Sequence, residues 1–500
     1  MRALVSVYDK AGLVELARGL SELGWELVAS GNTGRALEEA GIAHLEVAKV
    51  TGSPEMLGGR VKTLHPRIHG GILADRSVPE HLADLDAQGI APIDLVVCNL
   101  YPFTASPSIE MIDIGGPALV RAAAKNHAHV GVVTSPDDYA GVLAELQATG
   151  ELSFDTRRHL ARRAFAHTAA YDAAIVSWLD GDDPLPPTLH LTLERAEVCR
   201  YGENPHQHGA RYRSGPGWWD GVVQHAGTAL SYLNIFDADA AWRLVHELAE
   251  DAGSGTAAVV VKHANPCGAA VADDLTAAYT RALEGDPVAA FGGIVALRGE
   301  VTDEVAEAVA AGPQADVIVA GAFTSGALER LVARRKATRL LSAPAPEETG
   351  RQVRTLGAAA LVQDGDVFTR SPRRWQVATE RQPSRSEWAD LVLAWRLCGR
   401  TTSNAVVVVS GRQAVGVGAG QQSRVAAATL AVEKAGRRAA GGAGASDGFF
   451  PFPDGLEVLA RAGVSAVVQP GGSVRDGEVV AAADAAGIAM VLTGERHFRH

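Results

Sequence analysis

Apolar residues in the first 150 positions alternate between two rhythms. Ala3 to Val7, Glu26 to Ala29, Leu95 to Asn99 and Val130 to Thr134 are short runs with the length of buried strands. Between them the spacing turns helical: Leu13, Leu16, Ala17 and Leu20 share one face of a helix expected near Gly12 to Leu23, with Gly24 placed to cap its end. A further helix is expected at Gly141 to Gln147. The alternation predicts a parallel sheet covered by helices. Helical spacing resumes from Thr156 to Leu179 and breaks at the acidic, proline-rich stretch Asp180 to Pro187, where a domain boundary is expected.

Beyond that break, Ala257 to Val261 and Ala405 to Val409 read as buried strands flanked by reactive polar residues, with no tandem sequence repeat between them. A softer interruption falls at Ser371 to Ser386. Together these give domains at 1–185, 190–380 and 381–500. Asn265-Pro266 and Cys267-Gly268 predict a turn that points Lys262 and His263 into a crevice. Gly416 to Gly420 reads as a glycine-rich turn, with Gln421, Gln422, Ser423 and Arg424 behind it. The run Ala435 to Ala445 reads as a mobile loop.

Composition narrows the function. Of the 500 residues, 47% are hydrophobic, enough for several cores, and a net charge of -12 with a pI near 5.7 argues against broad nucleic-acid or membrane binding. Arg60, Lys62, His65, Arg67 and His69 form a local basic patch, while Arg157, Arg158, Arg162 and Arg163 recur at helical spacing as a solvated face. Cys98, Cys199, Cys267 and Cys398 are widely separated, which suits a reducing cytoplasm. The chain opens on a strand with no secretory leader, and no apolar run reaches membrane-spanning length.

Two constellations carry chemistry. Lys262 and His263, an ammonium donor and an imidazole at a strand's carboxyl end, suit proton transfer to a leaving group, and Ser403-Asn404 and Arg424 add amide and guanidinium groups that hold oxyanions. In the first 150 residues, Ser6, Tyr8, Asp9, Lys10 and Ser30-Gly31-Asn32-Thr33 end two strands on one sheet edge and offer backbone N–H groups to phosphate, with cations from Arg60 and Lys62 beside Thr63. Asn99, Tyr101, Asp113, Gly115 and Lys125 supply a phenol, a carboxylate and a lysine for proton transfer without metal. Ser30 and Thr33 taken alone are more often helix caps, and a lone Lys-His pair is more often structural. A zinc deaminase wants His-x-Glu and Pro-Cys-x-x-Cys, and no second cysteine follows Cys267. A pyridoxal Schiff base on Lys262 is a second rival. A non-catalytic nucleotide-binding regulator is a third, which the long carboxyl-terminal region opposes.

The motifs Gly58-Gly-Arg-Val-Lys-Thr-Leu-His-Pro66, Ile112-Asp-Ile-Gly-Gly116, Arg121-Ala-Ala-Ala-Lys-Asn-His127, Arg200-Tyr-Gly-Glu-Asn-Pro-His-Gln207, Lys262 to Gly268, Ala290-Phe-Gly-Gly-Ile-Val295, Gly418-Ala-Gly-Gln421, Ser446 to Phe452 and Arg496-His-Phe-Arg-His500 follow one order from end to end. In them the chain resembles the bifunctional purine biosynthesis proteins, which join phosphoribosylaminoimidazolecarboxamide (AICAR) formyltransferase to inosine monophosphate (IMP) cyclohydrolase. The resemblance implies an α/β fold: a methylglyoxal-synthase-like parallel-sheet domain carrying the cyclohydrolase, then two cytidine-deaminase-like subdomains forming the transformylase. It implies AICAR, its formylated product FAICAR and 10-formyltetrahydrofolate as small-molecule substrates, no zinc, room for a monovalent cation, and a cytoplasmic homodimer whose transformylase sites span the subunit interface.

Carried over by motif, the catalytic set is Lys262, His263 and Asn404 for formyl transfer and Lys62, Tyr101, Asp113 and Lys125 for ring closure. Substrate binding falls on Ser6, Lys10, Ser30, Gly31, Thr33, Arg60, Thr63, Asn99 and Gly115, and on Arg200, Tyr201, Asn234, Phe291, Gly292, Asp316, Arg424, Phe449, Asp454, Arg496, Phe498 and His500. Three positions depart from the family pattern. Tyr8 replaces a small hydroxyl residue, Asn32 a glycine and Ala289 a serine, and Asn32 is expected to supply a left-handed backbone in glycine's place. The first two departures raise a transformylase with a weakened cyclohydrolase as the alternative.

Overall fold

The apolar runs of the first half become strands β1 (Arg2–Val5), β2 (Glu26–Ala29), β3 (Leu45–Glu46), β4 (Leu95–Val97) and β5 (Gly131–Val133) of a computed structural model that describes residues 1–252, 256–348 and 350–500. They lie wholly parallel in the order β3-β2-β1-β4-β5. Order reverses between β1 and β4, so the crevice at their carboxyl ends is the place where such a sheet binds ligands. The sheet belongs to the first of two compact units, Met1–Thr192 and Leu193–His500. Buried on both faces, its strands need continuous apolar runs, which made them legible in the sequence. The first helix spans Leu13–Glu22, and the chain leaves it through Gly24 at φ +77°. The long helix Phe154–Asp180 starts at a Ser153 cap. Arg157 does not join a solvated face, because its guanidinium donates to the carbonyls of His127, Leu152 and Ala128.

In the second unit β6 (Glu194–Val198) and β7 (Ala210–Arg213) pair apart from the main sheet, as do β14 (Gln352–Leu356) and β15 (Ala359–Gln363). The main sheet has twelve strands. Its first half holds β8 (Val223–Ala226), β9 (Ala257–Lys262), β10 (Asn265–Val271), β11 (Ile294–Val301), β12 (Val317–Phe323) and β13 (Arg339–Ser342). Its second half holds β16 (Gln376–Val377), β17 (Val406–Ser410), β18 (Gln413–Gly418), β19 (Ala443–Ser446), β20 (Ala466–Gln469) and β21 (Ala489–Leu492).

The two halves repeat one another. In each, a helix (Tyr232–Ala252 or Arg385–Gly399) precedes an antiparallel hairpin, β9/β10 or β17/β18, and three helix-linked strands follow. The orders β10-β9-β11-β12-β13 and β18-β17-β19-β20-β21 are the same, and the halves join where β10 meets β18 at Ala270 and Gln413. A short sequence echo accompanies the repeat. Asp237 precedes Ala241-Trp242-Arg243-Leu244 as Asp390 precedes Ala394-Trp395-Arg396-Leu397, and both indoles are buried in the core.

Three expectations from local sequence are corrected here. Asn265-Pro-Cys-Gly268 is the start of β10, and the turn is His263-Ala264, both left-handed at φ +54° and +56°. Gly416 and Gly418 lie in β18, where a Cβ would stand 2.0 Å from the carbonyls of Ala431 and Ala427, so these glycines permit close strand–helix approach. The run 435–445 forms a short 3-10 helix, Gly436–Ala439, followed by the central strand β19, with Ala435, Ala439, Ala443 and Ala445 buried. Small residues there serve tight packing. Among the described residues no helix is long and apolar enough to cross a membrane.

Gly416→Ala should destabilise the second unit by about 1–3 kcal/mol in chemical denaturation, the usual cost of overpacking. Gly477→Ala, whose added methyl meets open space inside the helix Asp476–Ala485, should cost nothing. Equal effects would contradict the close-approach argument.

Candidate functional site

In the first unit the loops after β1, β2 and β4 converge. Asn99 is the hub: its side-chain oxygen accepts from the backbone N–H of Tyr8 (2.6 Å) and Asp9 (2.9 Å), and its amide donates to the Asp9 carbonyl. Thr33 is buried and exchanges hydrogen bonds of 3.1 Å with the backbone of Val7. Ser6 donates its N–H to Val97, and Lys10 reaches the Tyr8 carbonyl at 3.2 Å. Ser30 precedes the helix Gly31–Glu39 without a side-chain cap. Gly31 itself takes φ +54°, so the left-handed residue is Gly31 and not Asn32, which sits inside the helix and needs no glycine.

Lys62 stands over that helix N-terminus. A methyl group added to Gly31 would lie 2.9 Å from the Lys62 Nζ, which pairs with Glu55 at 3.0 Å. Arg60 pairs with Glu110. Thr63 is buried, and its hydroxyl would stand 3.3 Å from a methyl added to Gly115. Asp113 accepts the Gly116 N–H at 2.8 Å, while its own N–H donates to the Tyr171 hydroxyl. Burial pushes the Asp113 carboxyl above its ordinary range, against the backbone N–H groups of Gly116, Tyr101 and Gly115, which favour the ionised form. The Tyr101 ring packs edge-on against Tyr8 at 5.5 Å. Lys125 is the exposed last residue of the helix Gly115–Lys125, about 15 Å along the axis from its start.

In the second unit Lys262 closes β9, and its ammonium donates to the Phe291 carbonyl at 2.9 Å. Exposed His263 and buried Ala264 form the turn. Asn265 joins this turn to the other half, its amide donating to the His263 carbonyl (3.0 Å) and its oxygen accepting the Thr402 N–H (2.8 Å). Asn404 bonds the Gln421 backbone, and its side-chain oxygen accepts from Arg424 at 3.0 Å. Arg424 also holds Ser446 (2.8 Å) and the fully buried Asp447. The carboxyl terminus closes over this group: Arg499 donates to the carbonyls of Ala264 and Arg400 and accepts the Ser403 N–H.

Phe498 and Arg424 both border Gly448, next to exposed Phe449, and Arg496 lies over the Phe498 ring at 4.2 Å. Arg200 stacks on and bonds Tyr201. The His500 carbonyl accepts from Arg354, and the Gly292 N–H donates to Gln314. Asn234, Asp316 and Asp454 are tied by local structure: Asn234 caps with Ser231, the Asp316 backbone bridges Gly293 and Arg339, and Asp454 accepts the Gly455 N–H. Asp237, Asp447 and Arg499 are absent from the sequence-derived set, since each acts through contacts remote in sequence. Cys267 is a buried strand residue whose thiol is pushed up to about 12 by burial. Among the described residues no three His, Cys, Asp or Glu side chains converge as metal ligands would.

A parallel α/β unit with a polar crevice, followed by a duplicated α/β unit with a Lys-His turn, is the architecture of an α/β enzyme with one candidate site in each unit. Residues 12–132 match the MGS-like domain, and residues 123–434 match the AICARFT/IMPCHase bienzyme family. The bifunctional purine biosynthesis protein PurH of a Cyanothece species is 46% identical over 516 aligned residues, covering 100% of this chain and 99% of that protein. PurH of Halalkalibacterium halodurans is 47% identical over the same shares. The crystal structure of ForH is 40% identical over 36% of this chain and 98% of its own, with a TM-score of 0.34 that lends no weight to the fold. The chain belongs to the AICARFT/IMPCHase bienzyme family.

Because the folded state holds the Asp113 proton to higher pH than the unfolded chain, stability falls as pH rises from the ordinary carboxylate range through the raised value. Asp113→Asn should therefore melt above the wild type at pH 7, and the gap should close as pH drops below the ordinary range. A gap independent of pH would reject the argument.

Proposed function

We propose that this enzyme catalyses the last two steps of IMP formation: transfer of a formyl group from 10-formyltetrahydrofolate to AICAR in the second unit, and dehydrative ring closure of FAICAR in the first. Full-length similarity to two bifunctional enzymes carries this reading. The substrate amine is a poor nucleophile, its lone pair drawn into the ring. His263 takes its proton as the nitrogen attacks the formyl carbon. Lys262 and Asn404 stabilise the oxyanion, and as the bond to the folate nitrogen breaks Lys262 protonates that nitrogen. Each preorganised donor is commonly worth about 3 kcal/mol.

In the first unit Lys10, Thr33, Arg60 and Thr63 grip the ribose phosphate, aided by Ser6, Ser30, Gly31, Asn99 and Gly115. Lys62, Tyr101, Asp113 and Lys125 move protons as the carboxamide nitrogen attacks the formyl group and water leaves. The remaining binding residues of the second unit surround its nucleotide and folate. The working form is a cytoplasmic homodimer with 1–185, 190–380 and 381–500 as its domains. Phe291, 63% exposed beside Lys262, supports a partner-covered site.

Enzyme supplied with AICAR and 10-formyltetrahydrofolate should yield IMP by chromatography. His263→Ala should lower formyl transfer by about 10²–10⁴-fold while ring closure of added FAICAR stays intact. Loss of both steps together would refute the assignment. A monomeric preparation that transfers formyl at full rate would refute the shared site.

A further inference from the structure

Neither residue of the turn between β9 and β10 is glycine, yet both are left-handed. Such a conformation costs about 1–2 kcal/mol per residue and persists only when its surroundings impose it. The imposing group is Asp237, on the helix Tyr232–Ala252. It is 9% exposed, and its two carboxylate oxygens accept the N–H groups of His263 at 3.2 Å and Ala264 at 2.9 Å. Arg499 holds the Ala264 carbonyl. The backbone from which Lys262 and His263 project is therefore fixed at both its donors and its acceptor.

The duplicated half supplies an internal comparison. Asp390, at the matching place on the helix Arg385–Gly399, accepts the N–H groups of Gly411 (2.8 Å) and Arg412 (2.5 Å), which are left-handed at φ +57° and +64°. The carboxylate clamp is thus a device of the fold, present in both halves. In one half it holds Ser410-Gly411-Arg412. In the other it holds Lys262-His263-Ala264, and Asn265 continues the hydrogen bonding to Thr402, two residues from Asn404.

We infer that Asp237 is a positioning residue for formyl transfer, fixing the turn that aims His263 and Lys262 and linking it in register to the Asn404 loop. The inference rests on the function proposed above. Misplacement of reacting groups by about 1 Å can cost 10²-fold in rate. Its signature is a loss in kcat with little change in KM, since the carboxylate faces the backbone of the turn and not the substrate.

The test compares full-length wild type, Asp237→Ala, Asp237→Asn and Asp390→Ala for formyl-transfer kcat and KM toward AICAR, for ring closure of FAICAR, and for denaturant stability. Asp237→Ala should lose about 10²-fold in kcat with KM for AICAR changed by less than about 3-fold and ring closure intact. Asp237→Asn, which keeps one acceptor oxygen, should recover at least about tenfold of that loss. Asp390→Ala should lose comparable stability yet keep formyl-transfer kcat. Unchanged kcat in Asp237→Ala, or an equal fall in Asp390→Ala, overturns the inference. Should an alanine variant fail to fold, Asp237→Asn against Asp390→Asn makes the same comparison, with a kcat loss expected only in the former. A wild type that closes FAICAR but transfers no formyl group overturns the function itself, an outcome distinct from an active wild type with an unaffected Asp237→Ala.

Discussion

The turn between β9 and β10 has to be imposed from outside, and the second unit is arranged around that requirement. A two-residue hairpin favours left-handed residues, and glycine or asparagine would adopt them at small cost. Here the positions are His263 and Ala264, so the helix carrying Asp237 must sit at a fixed height on the sheet. Trp242, one turn further along, secures that height: its ring is buried in the core and its indole N–H donates to the Pro344 carbonyl at 2.7 Å. Packing of an apolar helix face therefore sets the position of two polar side chains, half-buried Lys262 and exposed His263.

Duplication explains why candidate residues from both halves lie together. Because β10 and β18 meet at the centre of one sheet, the 402–404 segment of the second half lies beside the β9/β10 turn of the first, and Asn265 bridges them. The converse arrangement, at Gly411-Arg412, keeps the carboxylate clamp but presents no lysine–histidine pair. The fold provides two equivalent turns, and only one of them carries a lysine–histidine pair.

Local sequence revealed what local physics decides. β2 was legible to the residue and β9 to within one, because strands buried on both faces must be unbroken apolar runs. The errors came where distant partners overrule local preference. Pro266 and Gly268 look like turn residues, yet Asp237 places the turn two residues earlier, and β10 accommodates Pro266 at a register shift. Gly416, Gly418 and the alanines from Ala435 onward looked flexible, although their smallness serves close packing. Motifs nominated the candidate site residues, whereas the contacts of Asp237, Asp447 and Arg499 emerged only once the chain was folded. The Asp-x-x-x-Ala-Trp-Arg-Leu echo was present in the sequence, but at one short segment per half it was too sparse to declare a repeat.

The two sites solve electrostatics in opposite ways. Around Lys262 the backbone of the turn is held by Asp237 and Asn265, and on the proposed reading this keeps the donors in place for an oxyanion that exists only transiently. In the first unit Lys62 stands over the N-terminus of the helix Gly31–Glu39, where the helix dipole disfavours a cation, and Glu55 holds it there; exposed Arg60 rests on Glu110. These surface pairs are individually weak. On the proposed reading, a phosphate arriving at that helix terminus takes Lys62 from Glu55 and gains the backbone N–H groups as well. A dianion outcompetes a lone carboxylate for such a cation, so the exchange from Glu55 favours the nucleotide phosphate.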